Sequence, residues 1–542
     1  MTRDFHDVLR QIARDTPDRP ALSFSDCLAD AGGGRDGSAA VQRISYGQLC
    51  ADIAAAAPQL QCRAGERVFI AAATDYPSIV TYLACLWQGA VPAFLSPLTP
   101  RQDPAIHASE LQTLLDRFQP QLLMQDGQLR RLHDRPPQPG EPIGGFLQFS
   151  SGTTSLRKAV FIPQQRLQAQ LRSLGQALAL SADDRIACWL PLYHDMGLIS
   201  SLFLPLYHGA SVAFIDPVAW SFKPDSLLRL VAQERATLCW QPDFAFRHLC
   251  NHQRRQGQAA ARHDLSSLRR LISCSEPCRA ASFDEFSAMF SASGLRADAL
   301  QTCYAMAETV FAITQSRFGA GEQPASVNGF LPSGQAIDGC QLRIVASDDA
   351  QLAGVDGVGQ IEVRSEFLFD HYLGQGMAAA RPDGWHATGD LGCWRDGQLV
   401  VLGRVDDTLV INGKKIIAHQ VEDHLGGQPG FKPGRVFCTL NAEATALEVY
   451  YESSAPQALD SATQARLRQW VASSSAVSLA ALNRVPPGTL VKSSSGKIAR
   501  RKTLHKLQAL QQAASAAMTA TTAAGTPTAI ATVTAGTVAT AC

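Results

Sequence analysis

Up to about residue 400, short apolar runs alternate with longer stretches of helical spacing, and Gly or Pro separates them. Val68-Phe69-Ile70-Ala71 has the continuous apolar character of a buried strand. Residues 79–95 are interrupted by Gln88, Gly89 and Pro92, which predicts a buried helix followed by a buried strand, and residues 198–215 are broken by Pro205, His208 and Gly209. Neither stretch has the uninterrupted apolar length of a membrane span. Such alternation predicts an α/β fold of layered sheets and helices. A proline-rich connector over residues 134–142 leads into the strand-like Phe146-Leu147-Gln148-Phe149. Near Gly403 the run Leu399-Val400-Val401-Leu402 gives way to the polar Arg404-Val405-Asp406-Asp407, a candidate hinge. Beyond it, the strand-like Leu447-Glu448-Val449-Tyr450-Tyr451 and a helix over about residues 462–473 predict a small α+β domain. After Gln511 the chain turns to Ala and Thr and lacks the large side chains that reward ordering. The expected organisation is a large domain over 1–402, a small one over 403–510 and a disordered tail over 511–542.

With 542 residues, 46% of them hydrophobic, the chain can bury an extended core and divide into domains. Its 48 basic and 48 acidic residues cancel, which leaves no overall field to recruit nucleic acid or an anionic membrane. Any bound phosphate must therefore be held locally. The 14 cysteines form no C-x-x-C pair, and residues 1–10 contain Arg3, Asp4, His6 and Asp7 rather than an apolar signal core. Reduced thiols and a cytoplasmic location are the expectation.

One segment has the chemistry of such a local phosphate site. Ser150-Ser151-Gly152-Thr153-Thr154-Ser155-Leu156-Arg157-Lys158 follows the apolar strand directly and combines hydroxyls, a glycine and two cations. Backbone N–H groups, hydroxyl donors and a charge-cancelling cation are what a polyphosphate needs, although a Ser/Thr-rich turn has the same composition. The Walker pattern is absent.

Further segments follow in order: Trp189-Leu190-Pro191-Leu192-Tyr193-His194-Asp195-Met196-Gly197, Ser273-Cys274-Ser275-Glu276-Pro277, Tyr304-Ala305-Met306-Ala307-Glu308, Thr388-Gly389-Asp390-Leu391-Gly392, Gly403-Arg404-Val405-Asp406-Asp407 running on to Asn412-Gly413-Lys414-Lys415-Ile416, and Val491-Lys492-Ser493-Ser494-Ser495-Gly496-Lys497-Ile498. Each alone has a structural explanation: a buried histidine, a packing tyrosine, an aspartate-capped turn, a charged hairpin or a solvated basic loop. As an ordered series spanning nearly the whole chain, they resemble the motifs of the adenylate-forming superfamily. The glycine and proline usual there are replaced by Ser155, Arg157, Ala159 and Ala305.

The resemblance implies a large multi-sheet N-terminal adenylation domain, a small mobile C-terminal domain, and ATP-dependent attachment of AMP to a carboxylic acid. It implies that Ser151, Gly152, Thr153, Thr154 and Lys158 cradle the triphosphate, while Ser275, Glu276, Pro277, Tyr304, Ala305 and Met306 border the adenine. Asp390 and Arg404 would meet the ribose, Glu308 would ligate Mg²⁺, His194 would border the acyl pocket, Asp406 would be the hinge pivot, and Lys497 the catalytic cation.

Three stretches are most similar to fatty-acyl-AMP ligases, which load acyl carrier proteins: residues 191–199, Gln241-Pro242-Asp243-Phe244-Ala245-Phe246, and Asp264-Leu265-Ser266-Ser267-Leu268 leading into Ser275. The short passage from Phe311 to Leu331 lacks the longer insertion common in those ligases. Trp240, Phe244 and Phe246 are equally an apolar tunnel or core aromatics, and Asp195 or Asp243 could pair a substrate ammonium. The acceptor implied is a carrier protein acting in trans. The alternatives are an acyl-CoA ligase, an amino-acid-activating enzyme and a non-catalytic adenylate-binding protein.

Overall fold

The computed structural model describes residues 4–25, 41–100, 102–137, 142–149, 158–257, 262–322, 324–346, 357–374, 381–411, 414–453, 455, 459–475, 477–492 and 498–523. Its central sheet has seven strands in the order Leu300–Thr302, Arg270–Ser273, Leu238–Gln241, Arg185–Cys188, Ser211–Phe214, Pro20–Ser25 and Val41–Ser45. All neighbours run parallel except the last pair. The inner strands, such as Ser211–Phe214 and Leu238–Gln241, are buried on both faces and lack a polar alternation. A second sheet places Arg67–Ala71 between Val91–Leu95 and Leu122–Gln125, with Gln128–Arg131 at its edge. The helix Tyr76–Trp87 leads into Val91–Leu95, as the break at Gln88, Gly89 and Pro92 predicts. Its start is capped by Asp75, whose carboxylate accepts from Ser78 N at 2.8 Å.

Aromatic rings join these layers. Tyr82 stacks on Phe94 at 4.5 Å, Phe146 stacks on Phe203 at 5.5 Å, and Phe5 meets Phe203 edge-on at 4.9 Å. Gly145–Phe149 pairs antiparallel with Ala159–Pro163. A four-stranded antiparallel sheet, Cys340–Ala346, Gly359–Ser365, His386–Arg395 and Gln398–Arg404, closes the large lobe. The main core runs from Phe5 to Val401.

A separate core, containing Ile411, Val421, Leu425, Phe431, Val449, Leu467 and Val471, lies entirely between residues 411 and 479. Around it are the hairpin Thr408–Ile411 with Lys414–Ile417, the helix Ala418–Gly426, the sheet of Phe431–Leu440, Leu447–Ser453 and Leu479–Arg484, and the helix Ser461–Ser475. The last helix, Arg500–Ala523, runs on past Gln511 into the Ala- and Thr-rich segment. Alanine has the highest intrinsic helix propensity, so a segment too poor in bulk to build a core still continues a helix already started. No helix of the described residues is long and apolar enough to cross a membrane, and the cysteines among them are free thiols.

Asp184 ties together the amino ends of three inner strands of the central sheet. Its carboxylate accepts from Arg269 Nε and Nη2 at 2.7 and 2.8 Å, from Thr237 Oγ1 at 2.7 Å and from Ser181 N at 2.8 Å. Arg269 also donates to Leu178 O at 2.7 Å, fastening the end of the helix Gln164–Leu178. Burial pushes the Asp184 pKa up, but these donors outweigh it and hold the group below the ordinary range. Its contribution is therefore present above the unfolded carboxylate pKa, about 4, and is lost as pH falls through the lower folded value. Asp184→Asn should cost about 3 kcal/mol by urea denaturation at pH 7, with the gap from wild type closing in acid.

Candidate active site

Parallel strands end on the same side, so the segments leaving their carboxyl ends are brought together. In register, Gln241 lies beside Ser273 and Ser273 beside Thr302. The three strands therefore deliver Pro242 to Phe244, Cys274 to Pro277 and Cys303 to Glu308 to one edge of the sheet, while Arg185–Cys188 delivers Trp189 to Gly197. Gly197 is required there, because a Cβ would stand 2.3 Å from Pro191 O.

The antiparallel sheet supplies the facing residues. Asp390 stands opposite Arg404 in register, with Oδ1 3.7 Å from Arg404 Nε. The strand position before it needs Gly389, which has φ +78° and whose Cβ would lie 2.9 Å from Arg404 Nη2. Tyr304 Oη donates to Asp390 Oδ2 at 2.5 Å. Burial, and then the Asp390 charge, push the Tyr304 phenol well above its usual pKa, so it remains a donor. Tyr304, Asp390 and Arg404 thus form one hydrogen-bonded and charged group.

A second group lies alongside. Tyr372 Oη donates to Glu308 Oε1 at 2.8 Å, and Lys158 Nζ sits 4.6 Å from the centre of the Tyr372 ring. Burial and the Glu308 charge raise the Tyr372 pKa. Arg404 interacts electrostatically with both Asp390 and Glu308, which couples the two groups. The backbone here is strained: Val310 has φ +66°, rare for a β-branched residue. Bonds from Val310 N to Ala307 O (3.0 Å) and from Phe311 N to Gln170 Oε1 (3.1 Å) hold the turn in place.

On the strand-end side, Trp189 stacks on Trp220 at 3.5 Å, and half-buried Phe244 packs edge-on to both at 6.2 and 6.4 Å. His194 lies against the Tyr193 ring at 4.7 Å, and the Asp195 charge reaches the Cys303 thiol beside Tyr304. Trp240 is fully buried, and Phe246 packs with Phe283 and Phe286 in the core. Asp243 is buried and accepts from Arg279 N and Ser282 Oγ, both at 3.1 Å, and burial pushes its pKa up to about 6 against the opposing Arg247 charge. These bonds make it a joint between segments. The Glu276 carboxylate accepts from Phe244 N at 3.1 Å.

Of the residues singled out by sequence, Lys158, His194, Glu276, Tyr304, Glu308, Asp390 and Arg404 occupy these clusters. Asp406 lies in the 3-10 turn Val405–Asp407 that follows Gln398–Arg404. Ser151, Gly152, Thr153, Thr154 and Lys497 fall outside the described residues. Tyr372 was not legible in the sequence; a lone tyrosine in Phe369-Asp370-His371-Tyr372 has no motif to mark it. No group of three His, Cys, Asp or Glu side chains among the described residues could hold a metal unaided. A single hard carboxylate such as Glu308 suits Mg²⁺, which takes most of its oxygens from phosphate and water.

Residues 9–373 match the model of the family described as AMP-binding enzyme. The chain is 29% identical over 469 residues to a putative ligase of Mycobacterium tuberculosis, Rv1013, an alignment covering 77% of this chain and 85% of the relative. It is 30% identical over 315 residues to the medium-chain-fatty-acid–[acyl-carrier-protein] ligase TtuA of Teredinibacter turnerae, covering 51% of this chain and 48% of that protein. A solved structure from a study of fatty acyl-adenylate ligases of E. coli and L. pneumophila superposes with a TM-score of 0.77 at 24% identity, covering 94% of this chain and 98% of the other. That likeness establishes the shared fold.

If Asp390 anchors a nucleotide, Asp390→Ala should weaken ATP binding by roughly ten- to a hundredfold, the worth of a charge-assisted hydrogen bond. Isothermal titration reads this directly, and an unchanged Kd would remove Asp390 from the site.

Proposed function

We propose, from the premise that this chain belongs to the AMP-binding enzyme family of acid-adenylating ligases, that it joins a fatty acid to AMP and then passes the acyl group to the phosphopantetheine thiol of a separate acyl carrier protein. The observation that carries this reading is the convergence of Lys158, Tyr372 and Glu308 with Tyr304, Asp390 and Arg404 at the strand ends of that fold. The relatives named as medium-chain acyl-carrier-protein ligases support a fatty acid and a carrier. So does half-buried Phe244, which packs on the stacked Trp189 and Trp220 and would offer apolar area to an alkyl chain.

The chemistry follows from the weakness of a carboxylate as an electrophile. A carboxylate oxygen bonds to the α-phosphorus of ATP, the bond to the bridging oxygen breaks, and pyrophosphate leaves with its electron pair. A thiolate then adds to the acyl carbon and AMP departs, giving the thioester. Charge grows on the phosphoryl oxygens in the first step, so pre-placed cations lower its barrier. Lys158, Arg404 and Lys497 are assigned that role, with Asp390 orienting the ribose and His194 bordering the acid. Glu308 would hold Mg²⁺, which supplies further charge neutralisation when bound. The turn at Asp406 is assigned as the pivot between lobes.

Acid-dependent exchange of labelled pyrophosphate into ATP should occur with saturated acids and be strongest at one chain length. Lys497→Ala should lower it at least a hundredfold while sparing thioester formation from supplied acyl-AMP. Exchange with no acid would overturn the reading, and a preference for coenzyme A over a phosphopantetheinyl carrier would change the acceptor.

A further inference from the structure

The seam between the two lobes includes ion pairs, and one of them differs from the rest. Lys502 of the last helix reaches Glu110, but both side chains are well exposed, at 48% and 39%, and such pairs contribute little. Arg279 and Asp423 are only 20% and 21% exposed. Arg279 Nη2 and Nε donate to the same oxygen, Asp423 Oδ2, at 2.7 and 3.2 Å, and His419 Nε2 lies 3.3 Å from that oxygen. The guanidinium also covers the Phe330 ring at 4.8 Å. Burial pushes the Asp423 pKa up, but His419, Arg279 and Arg247 overcome it and keep the group ionised.

Each partner is built into its own lobe. Arg279 follows Ser275-Glu276-Pro277 closely, and its N–H is bound by buried Asp243, so it moves with the segment at the strand ends. Asp423 is on the helix Ala418–Gly426. The neighbouring Glu422 accepts from Arg500 Nη1 at 2.6 Å and from Cys438 N at 2.8 Å, fixing that helix to the rest of the small lobe. In this arrangement Lys492, which opens the lysine-rich motif, lies in the field of Glu276. The orientation that makes the ion pair is thus the one that brings Lys492 towards Glu276 of the segment at the strand ends.

We propose that Arg279 and Asp423 are positioning residues, an interlobe latch that stabilises the adenylate-forming orientation and must open before the thiol step. This rests on the two-step reaction proposed above. Rotation of the small lobe would separate two half-buried charges, so the pair favours one half-reaction over the other.

Arg279→Gln and Asp423→Asn should each lower acid-dependent pyrophosphate exchange roughly tenfold, and the double variant should fall no further than the worse single. Thioester formation from supplied acyl-AMP should stay within about twofold of wild type or rise. Multiplicative losses in the double variant, or equal losses in both half-reactions, would overturn the latch. Trypsin cleavage of the unliganded chain at Arg404, Lys414 or Lys415 gives a test that needs no turnover. It should be faster in both single variants, with global melting temperatures unchanged, and equal cleavage rates would also overturn the proposal. A wild type that exchanges pyrophosphate with no acid would refute the proposed reaction instead, and the protease comparison would still decide the latch.

Discussion

Hydrogen-bond register among three short parallel strands fixes everything else about the site. Leu238–Gln241, Arg270–Ser273 and Leu300–Thr302 end level with one another, so the chain leaving each has to turn into a common space. A slip of one residue would turn each inward side chain to the opposite face, which a sheet buried on both sides does not tolerate. Tyr304, Glu276 and Asp243 are therefore held by the core. The strained turn at Val310 shows the local cost of aiming Glu308 correctly, a cost sustained by buried bonds from Gln170 and Thr309.

Much of this was legible in the sequence because the relevant signals are local. Apolar runs broken by Gly and Pro gave the strand and helix at residues 76–95, and small motifs marked Tyr304, Glu308, Asp390 and Arg404. What stayed hidden depends on contacts distant in sequence. Tyr372 acquires meaning from Glu308, sixty-four positions earlier, and Arg279 from Asp423, one hundred and forty-four positions later. Asp243 was read as a possible partner for a substrate ammonium, yet its carboxylate is engaged by Arg279 N and Ser282 Oγ. Trp240 and Phe246 show the ambiguity of aromatic residues, since the same composition serves a tunnel wall or a core and only packing separates them.

The lobes are unlike in how they hold themselves and how they hold each other. Each has its own apolar core, but the seam between them includes ion pairs along with Ile417 packed against the large lobe's antiparallel sheet. Apolar burial is non-directional and scales with area, whereas a charged pair has one satisfactory geometry. A seam built this way can specify an orientation without fusing the two lobes into one core.

The bond between Tyr304 and Asp390 has a consequence of its own. The Asp390 carboxylate already has an internal donor, so a hydroxyl arriving there would enter by exchange, replacing one partner with another. The free energy available for holding that guest is a difference between two similar bonds, and release after each turnover becomes correspondingly easy.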